Sequence, residues 1–242
     1  MRYLRMQIAR SGALTAALNG CDLRGSAHLA RRGSGCDDLP TLAASRFMRE
    51  VGLSGCVIVS GMPGAGKSTV CELATRLLRR AALVKGDDVN VMIRSGAVWF
   101  GGEPRDEATR QRELCLRNMC ALANNFVDYG FTVFMDTVVQ DRATLELLVA
   151  LLSPRPVRLV VLAPGVDACR YRNSTRHEWE RFDFDDYEQL DADMRRDLDA
   201  DAWWFDTSAL PPEQTAEQLV REAAERAQTL RPGENPSTAP RG

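Results

Sequence analysis

A chain of 242 residues with 45% hydrophobic content can bury one substantial core, which favours one catalytic domain with extensions over two full domains. Its formal net charge of -2 offers no basic field to a nucleic-acid backbone, so nucleic acid is not an expected partner. The seven cysteines are scattered without a Cys-x-x-Cys pair, which predicts neither a disulfide framework nor a zinc site. No apolar run reaches about 18 to 20 residues, so no membrane span is predicted. A reduced cytoplasmic protein is expected.

The two ends of the chain differ in composition from its centre. Residues 1–50 are rich in Arg, Ala, Ser and Gly without a sustained period, and we expect a flexible N-terminal extension there. An organelle transit peptide is the alternative for such an Arg-rich leader. Residues 231–242 are rich in Pro, Gly and Ser and are predicted to form a disordered tail. The catalytic domain is therefore predicted to span residues 51–230.

Short apolar runs alternate with helical patterns through this central domain. The predicted strands are residues 56–60, 82–84, 131–136, 157–162 and 203–206. Helices are predicted after the first strand, at 105–129 with Gly130 as C-cap, from a cap at Asp141 to residue 152, and from Pro211 onward. Strands that alternate with helices imply a parallel sheet covered on both faces, which is an α/β fold.

The segment between the first strand and its helix has the pattern Gly-x-x-x-x-Gly-Lys-Ser. Its glycines allow backbone N–H groups to surround phosphate oxygens, and the helix N-terminus adds a partial positive charge. Lys67 would reach the β- and γ-phosphates of ATP, and the Ser68 hydroxyl would ligate Mg²⁺. The predicted nucleotide-binding residues are Gly61, Met62, Pro63, Gly64, Ala65, Gly66, Lys67, Ser68 and Thr69.

Carboxylates follow two of the predicted strands. Asp136 ends the third strand, at the edge where an open α/β sheet places its ligands, and would hold magnesium through water while Ser68 holds it directly. Asp87 follows the second strand and is the predicted catalytic base for an acceptor hydroxyl, with Asp88 as the second choice. The alternative is that Gly86 and the two aspartates form a turn and helix cap, one of them capping while the other catalyses.

The chain after the fourth predicted strand is rich in arginine. The four residues are Arg170, Arg172, Arg176 and Arg181. Arg172 and Arg176 are four residues apart and would share a helical face, from which both charges could stabilise a transferring phosphoryl group. The alternative is a solvated basic face that pairs with nearby acidic residues. His177 is expected on the surface of the same segment.

A wall of the acceptor pocket is predicted between the second strand and the long helix. Trp99, Phe100 and the turn at residues 101–104 would form this wall, and Arg110 and Arg117 of the helix are candidate acceptor contacts. The alternative for the two aromatic residues is packing in the core.

Together these residues resemble the small P-loop kinases, most closely the chloramphenicol phosphotransferase-like and zeta-toxin-like group, over about residues 53–228. The resemblance implies a three-layer P-loop NTPase fold with a five-stranded parallel sheet in the order 2-3-1-4-5, helices on both faces and a short arginine-bearing lid. It also implies that Asp206, Thr207 and Ser208 lie near the nucleotide base. Relatives that act on polynucleotides or sugars often carry Arg or His three residues after the base. This chain has Asn90 there, which leaves the acceptor open.

The predicted function is an ATP- and Mg²⁺-dependent phosphotransferase that moves the γ-phosphate of ATP to a hydroxyl of a small molecule, such as an antibiotic, nucleoside or sugar derivative. A polynucleotide 5′-kinase is the second hypothesis, disfavoured by the acidic charge balance and by Asn90. A P-loop ATPase that remodels partners would need a second subdomain, for which the chain is short. A guanine-reading switch would need an Asn-Lys-x-Asp segment, and lysine occurs only at positions 67 and 85. The oligomeric state is left open.

Overall fold

The computed structural model of the protein describes residues 52–177, 181–182 and 184–233. The predicted flexible extension at residues 1–50 lies outside the described residues, as do residues 234–242 of the predicted tail. The described residues form a five-stranded sheet with helices packed on both of its faces. None of the helices in these ranges is both long and apolar enough to cross a bilayer.

The sheet has the strand order β2-β3-β1-β4-β5, and every neighbouring pair is parallel. Its strands are β1 Cys56–Ser60, β2 Ala81–Lys85, β3 Thr132–Asp136, β4 Val157–Leu162 and β5 Ala202–Phe205. The central strands β1 and β3 are buried along their whole length. Helices cover both faces, which explains why these strands are continuous apolar runs rather than alternating ones. The order confirms the predicted three-layer P-loop NTPase fold.

Helices follow the strands and divide the core into two layers. In the described residues they are α1 Lys67–Arg76, α2 Gly86–Asn90, α3 Arg105–Asp128, α4 Arg142–Leu152, α5 Val166–Ser174, α6 Tyr187–Leu198 and α7 Pro212–Arg226. One layer packs α3, α4 and most of α6 against Ile58 and Met135, and the other packs α1 and α7 against Val57 and Phe134. Successive residues of each strand thus point to opposite layers.

The predicted elements differ from the observed ones at a few positions. Strand β5 ends at Phe205, so Asp206 follows the strand instead of ending it. Helix α6 is absent from the predicted elements, although its buried residues Tyr187, Met194 and Leu198 recur at helical spacing. The predicted cap of α4 is confirmed, since the Asp141 carboxylate accepts a hydrogen bond from the Thr144 amide at 2.7 Å.

The C-terminus of α3 forms a Schellman motif, as the predicted Gly130 C-cap requires. The amide of Gly130 donates to the Val127 carbonyl at 2.9 Å, and the amide of Phe131 donates to the Phe126 carbonyl at 3.0 Å. Gly130 has a φ of 78°, and the rings of Phe126 and Phe131 meet edge to face at 6.0 Å. This cap directs the chain from the long helix into β3, which ends at Asp136.

Replacing Gly130 with Ala is expected to lower the free energy of unfolding by about 1 to 2 kcal/mol, because the left-handed conformation penalises a Cβ atom. The matched control is Gly52→Ala. A Cβ built at either glycine meets nothing within 4 Å, but only Gly130 has a positive φ. Urea unfolding of both variants measures the difference. Equal stabilities of the two variants would contradict the assigned backbone strain.

Candidate active site

The loop between β1 and α1 lies at the C-terminal edge of the sheet, and its backbone requires glycine at several positions. Gly61, Gly64 and Gly66 all have positive φ values. A Cβ atom at Gly64 would lie 2.2 Å from the Cys169 carbonyl oxygen, so only glycine fits where the loop approaches α5. The N-terminus of α1 has no side-chain cap, which leaves its first amide groups available to an anion. The loop therefore fits phosphate oxygens.

The side chain of Lys67 folds back over this loop. Its Nζ donates to the carbonyl oxygens of Gly61 at 2.8 Å and Met62 at 3.1 Å. Burial lowers the pKa of Lys67, while the neighbouring carboxylates of Asp136 and Asp87 oppose that fall. The ammonium group is thus held against two carbonyl groups of the loop and lies near two acidic side chains.

Ser68 and Asp136 meet across the sheet edge. The Ser68 hydroxyl donates to Oδ2 of Asp136 at 2.6 Å, and the Asp136 residue is only 8% exposed. The parallel register that pairs Val59 of β1 with Asp136 of β3 brings the two side chains together. A hydroxyl and a carboxylate are the hard oxygen ligands that Mg²⁺ prefers, so this pair fits the predicted metal site.

Asp87 and Asp88 lie in the first turn of α2, directly after β2. Lys85 occupies the N-cap position of this helix. Within the described residues, no side chain makes a capping hydrogen bond to it. Partial desolvation raises the pKa of Asp87, repulsion from Asp136 adds to the rise, and attraction to Lys67 opposes it. The Asp87 side chain still reaches solvent. The surrounding protein therefore disfavours the ionised form of Asp87 but leaves its side chain accessible to a ligand.

The predicted lid arginines do not share one helix. Helix α5 ends at Ser174, so Arg172 lies on it and Arg176 lies beyond its end. The prediction of a common helical face is therefore wrong, although both residues line one cavity. The amide group of Asn173, a buried residue, exchanges hydrogen bonds with the backbone of Phe182 at 2.7 and 3.1 Å and thereby joins the two ends of the lid.

The other predicted residues of the segment after β4 are Arg170, Arg181 and His177. Arg170 pairs with Glu188 at 2.5 Å, which links α5 to α6. The guanidinium of Arg181 donates to the backbone carbonyl of Arg176 at 3.5 Å. His177 is exposed, as expected of lid surface.

A cavity of about 400 Å³ opens beside the glycine-rich loop. Besides the loop itself, it is lined by Arg172, Arg176, Thr207, Leu210, Pro212 and Thr215. The Thr207 hydroxyl is buried and has no hydrogen-bond partner among the described residues, so it is available to a polar group that enters the cavity. Sequence reasoning missed Leu210, Pro212 and Thr215, because nothing in the pattern of a helix start indicates that it borders a cavity.

The segment between α2 and α3 is tied to α3 by Gln111, which sequence reasoning also missed. Phe100 is 57% exposed and Trp99 is half-buried, so neither is a core residue. The predicted acceptor contacts Arg110 and Arg117 lie on the exposed face of α3, where they pair with glutamates at 3.4 and 2.7 Å. This pairing engages both guanidinium groups away from the site.

Comparison with known proteins agrees with this fold. Residues 56–200, more than half of the chain, match the family model described as AAA domain (AAA_33). A sugar kinase from Janibacter sp. HTCC2649 is 17% identical, over 69% of this chain and 94% of its own, with a TM-score of 0.50. The tunicamycin resistance protein of Deinococcus radiodurans is 16% identical, over 72% and 98%, with a TM-score of 0.55. No curated protein matches the sequence. At these identities the solved structures establish a shared fold.

Replacing Asp87 with Asn is expected to raise the free energy of unfolding near neutral pH. Because the folded state raises the pKa of Asp87, the stability that this group contributes is complete below the unfolded value of about 3.9 and is lost as pH rises through the folded value. The amide avoids that loss, so the advantage of the variant should grow from about pH 3 to pH 7. Urea unfolding across this range measures it, with Asp88→Asn as control. An advantage that shrinks with rising pH would contradict the assigned shift.

Proposed function

The chain belongs to this AAA domain family, and we propose that it is an ATP-dependent kinase that transfers the γ-phosphoryl group to a hydroxyl of a small molecule. The observation that carries the proposal is the position of Asp87. Its carboxylate lies close enough to Lys67 and Asp136 for their charges to shift its pKa in opposite directions, yet it makes no side-chain hydrogen bond with any described residue. A carboxylate that is uncommitted and beside a phosphate-binding loop is suited to accept a proton from an acceptor.

The residues around the loop would bind and orient ATP. Backbone amides from Gly61 to Thr69 and the N-terminus of α1 would hold the phosphates, and Lys67 would exchange its two carbonyl contacts for phosphate oxygens. Ser68 and Asp136 would hold Mg²⁺, which when bound neutralises charge on the β- and γ-phosphate oxygens. Thr207 and the apolar residues of the neighbouring cavity would receive the rest of the nucleotide.

The transfer itself would form a bond between the acceptor oxygen and the γ-phosphorus while the bond from the γ-phosphorus to the bridging oxygen breaks and ADP leaves. Asp87 would take the acceptor's proton, with Asp88 as the alternative base. Arg172 and Arg176 would stabilise the negative charge of the transferred group from the lid side of the cavity.

A small acceptor is favoured over a polynucleotide or a remodelled protein. The net charge of -2 gives no general attraction for a polyanion, and Arg110 and Arg117 are neutralised by glutamates. The proposed acceptor is therefore an antibiotic, nucleoside or sugar derivative, as in the chloramphenicol phosphotransferase-like group that the sequence resembles.

The choice between the two carboxylates is tested by matched amide variants. Asp87→Asn is expected to keep ATP binding but to lower phosphoryl transfer about 10²-fold or more, since the variant cannot accept a proton. Asp88→Asn should have a much smaller effect. The measurement is the rate at which γ-labelled phosphate from ATP enters organic products of a metabolite extract, with ATP binding followed by thermal shift.

The reverse ranking would move the base to Asp88. Normal transfer by both variants would remove this turn from the catalytic mechanism. ADP release by the wild type without any labelled organic product would identify an ATPase instead of a kinase.

A further inference from the structure

The segment that would face the acceptor is held rigidly against α3. The Gln111 amide donates to the Gly96 carbonyl at 2.8 Å and to Glu107 at 2.8 Å, and its oxygen accepts from the Val98 amide at 2.7 Å. These contacts fix the residues that immediately precede Phe100. The exposed ring of Phe100 is therefore presented at a defined place rather than on a free loop.

Arg112, the next residue of α3, lies against this ring. Its guanidinium carbon is 5.1 Å from the centre of the Phe100 ring, a cation–π contact. Arg112 is half-buried, and among the described residues it has neither a hydrogen bond nor an ion pair. Other arginines of α3 do have such partners, and these are Arg105 with Glu103, Arg110 with Glu107, and Arg117 with Glu113.

The charge of Arg112 therefore costs free energy in the folded protein, and neighbouring groups offset that cost only in part. Burial lowers the pKa of Arg112, and the field of Asp141 opposes the fall, but the Asp141 carboxylate is already engaged as the cap of α4. A guanidinium stays protonated in proteins, so it cannot relieve the cost by losing its proton. A half-buried cation without a hydrogen-bonded partner is what an anionic ligand would stabilise.

Arg112 also lies on the same side of the sheet edge as the proposed base. One turn along α3, the Cys115 thiol contacts the Gly86 carbonyl oxygen at 3.5 Å, and Gly86 directly precedes Asp87. The charges of Asp87 and Arg112 shift the pKa of that thiol in opposite directions, so both side chains lie near Cys115. The guanidinium and the proposed base thus both lie near the contact that joins α3 to α2.

We propose that Arg112, stacked on Phe100, binds an anionic group of the phosphoryl acceptor and thereby directs the acceptor hydroxyl toward Asp87. The acceptor is then an acidic small molecule that carries a carboxylate or a phosphate, rather than a neutral one. The planar guanidinium can hold either group through two parallel hydrogen bonds. It would also offset the repulsion between an anionic acceptor and the carboxylates of Asp87 and Asp136. This inference rests on the proposed kinase function.

The first test identifies the charge of the acceptor without knowing its name. A metabolite extract is passed over an anion exchanger at about neutral pH, and each fraction is incubated with the full chain, Mg²⁺ and γ-labelled ATP. Labelled organic product is expected only from the retained, anionic fraction. Treating that fraction with a phosphatase beforehand distinguishes the two anions, since loss of the product indicates a phosphate ester and persistence indicates a carboxylate.

The second test assigns the anion to Arg112. Arg112→Ala is expected to raise the KM for the active fraction about 10- to 100-fold, the usual scale for a hydrogen bond to a charged group, with the KM for ATP unchanged. Arg112→Lys should recover part of the loss because it keeps the charge. The control is Arg195→Ala, since Arg195 also stacks on an aromatic ring, that of Trp204 at 4.5 Å, but pairs with Asp191. It should leave both KM values unchanged.

Two results would overturn the inference and spare the kinase function. In the first, labelled product forms only from the unretained fraction. In the second, the KM of Arg112→Ala for the acceptor equals that of Arg195→Ala. Absence of labelled organic product from every fraction, with ADP still released, would instead refute the proposed function and this inference together.

Discussion

The hydrogen bond from Ser68 to Asp136 is the contact on which the candidate site depends. It joins the first turn of α1 to the end of β3 at 2.6 Å, and it exists because β1 and β3 pair in parallel as neighbours. Parallel pairing brings the carboxyl ends of the strands to one edge. The glycine-rich loop after β1, the aspartates after β2 and Asp136 at the end of β3 are therefore gathered at that edge by the strand order alone.

The charged forms of two side chains at this edge are disfavoured by the folded protein, as is common in catalytic sites. Desolvation and the proximity of Asp136 disfavour the ionised form of Asp87, and burial disfavours the charge of Lys67. Groups with pKa values shifted in this way cluster at functional sites. Arg112 is a further case, since burial lowers the pKa of its guanidinium, which contacts an aromatic ring, and the charge of Asp141 offsets the burial only in part. The negative charges of a bound nucleotide and an acidic acceptor would stabilise the cations of Lys67 and Arg112.

Much of this arrangement could be predicted from the sequence because its signals are local. The glycine-rich loop, Asp136 and the cap at Gly130 each depend on a few consecutive residues and the strand or helix beside them. Arg112 could not be distinguished from Arg110 and Arg117, because only the fold decides which arginine of α3 meets a glutamate and which meets Phe100. The end of α5 before Arg176 escaped prediction because no proline or glycine marks it.

Phosphoryl transfer to an organic hydroxyl is tested most directly by following the oxygen atoms of the γ-phosphate. ATP with heavy oxygen at the non-bridging γ positions is incubated with the protein, Mg²⁺ and a metabolite extract, and the products are identified by mass. A kinase is expected to place the labelled phosphoryl group in an ester with a metabolite. Heavy oxygen recovered in inorganic phosphate alone would contradict phosphoryl transfer and leave the chain an ATPase.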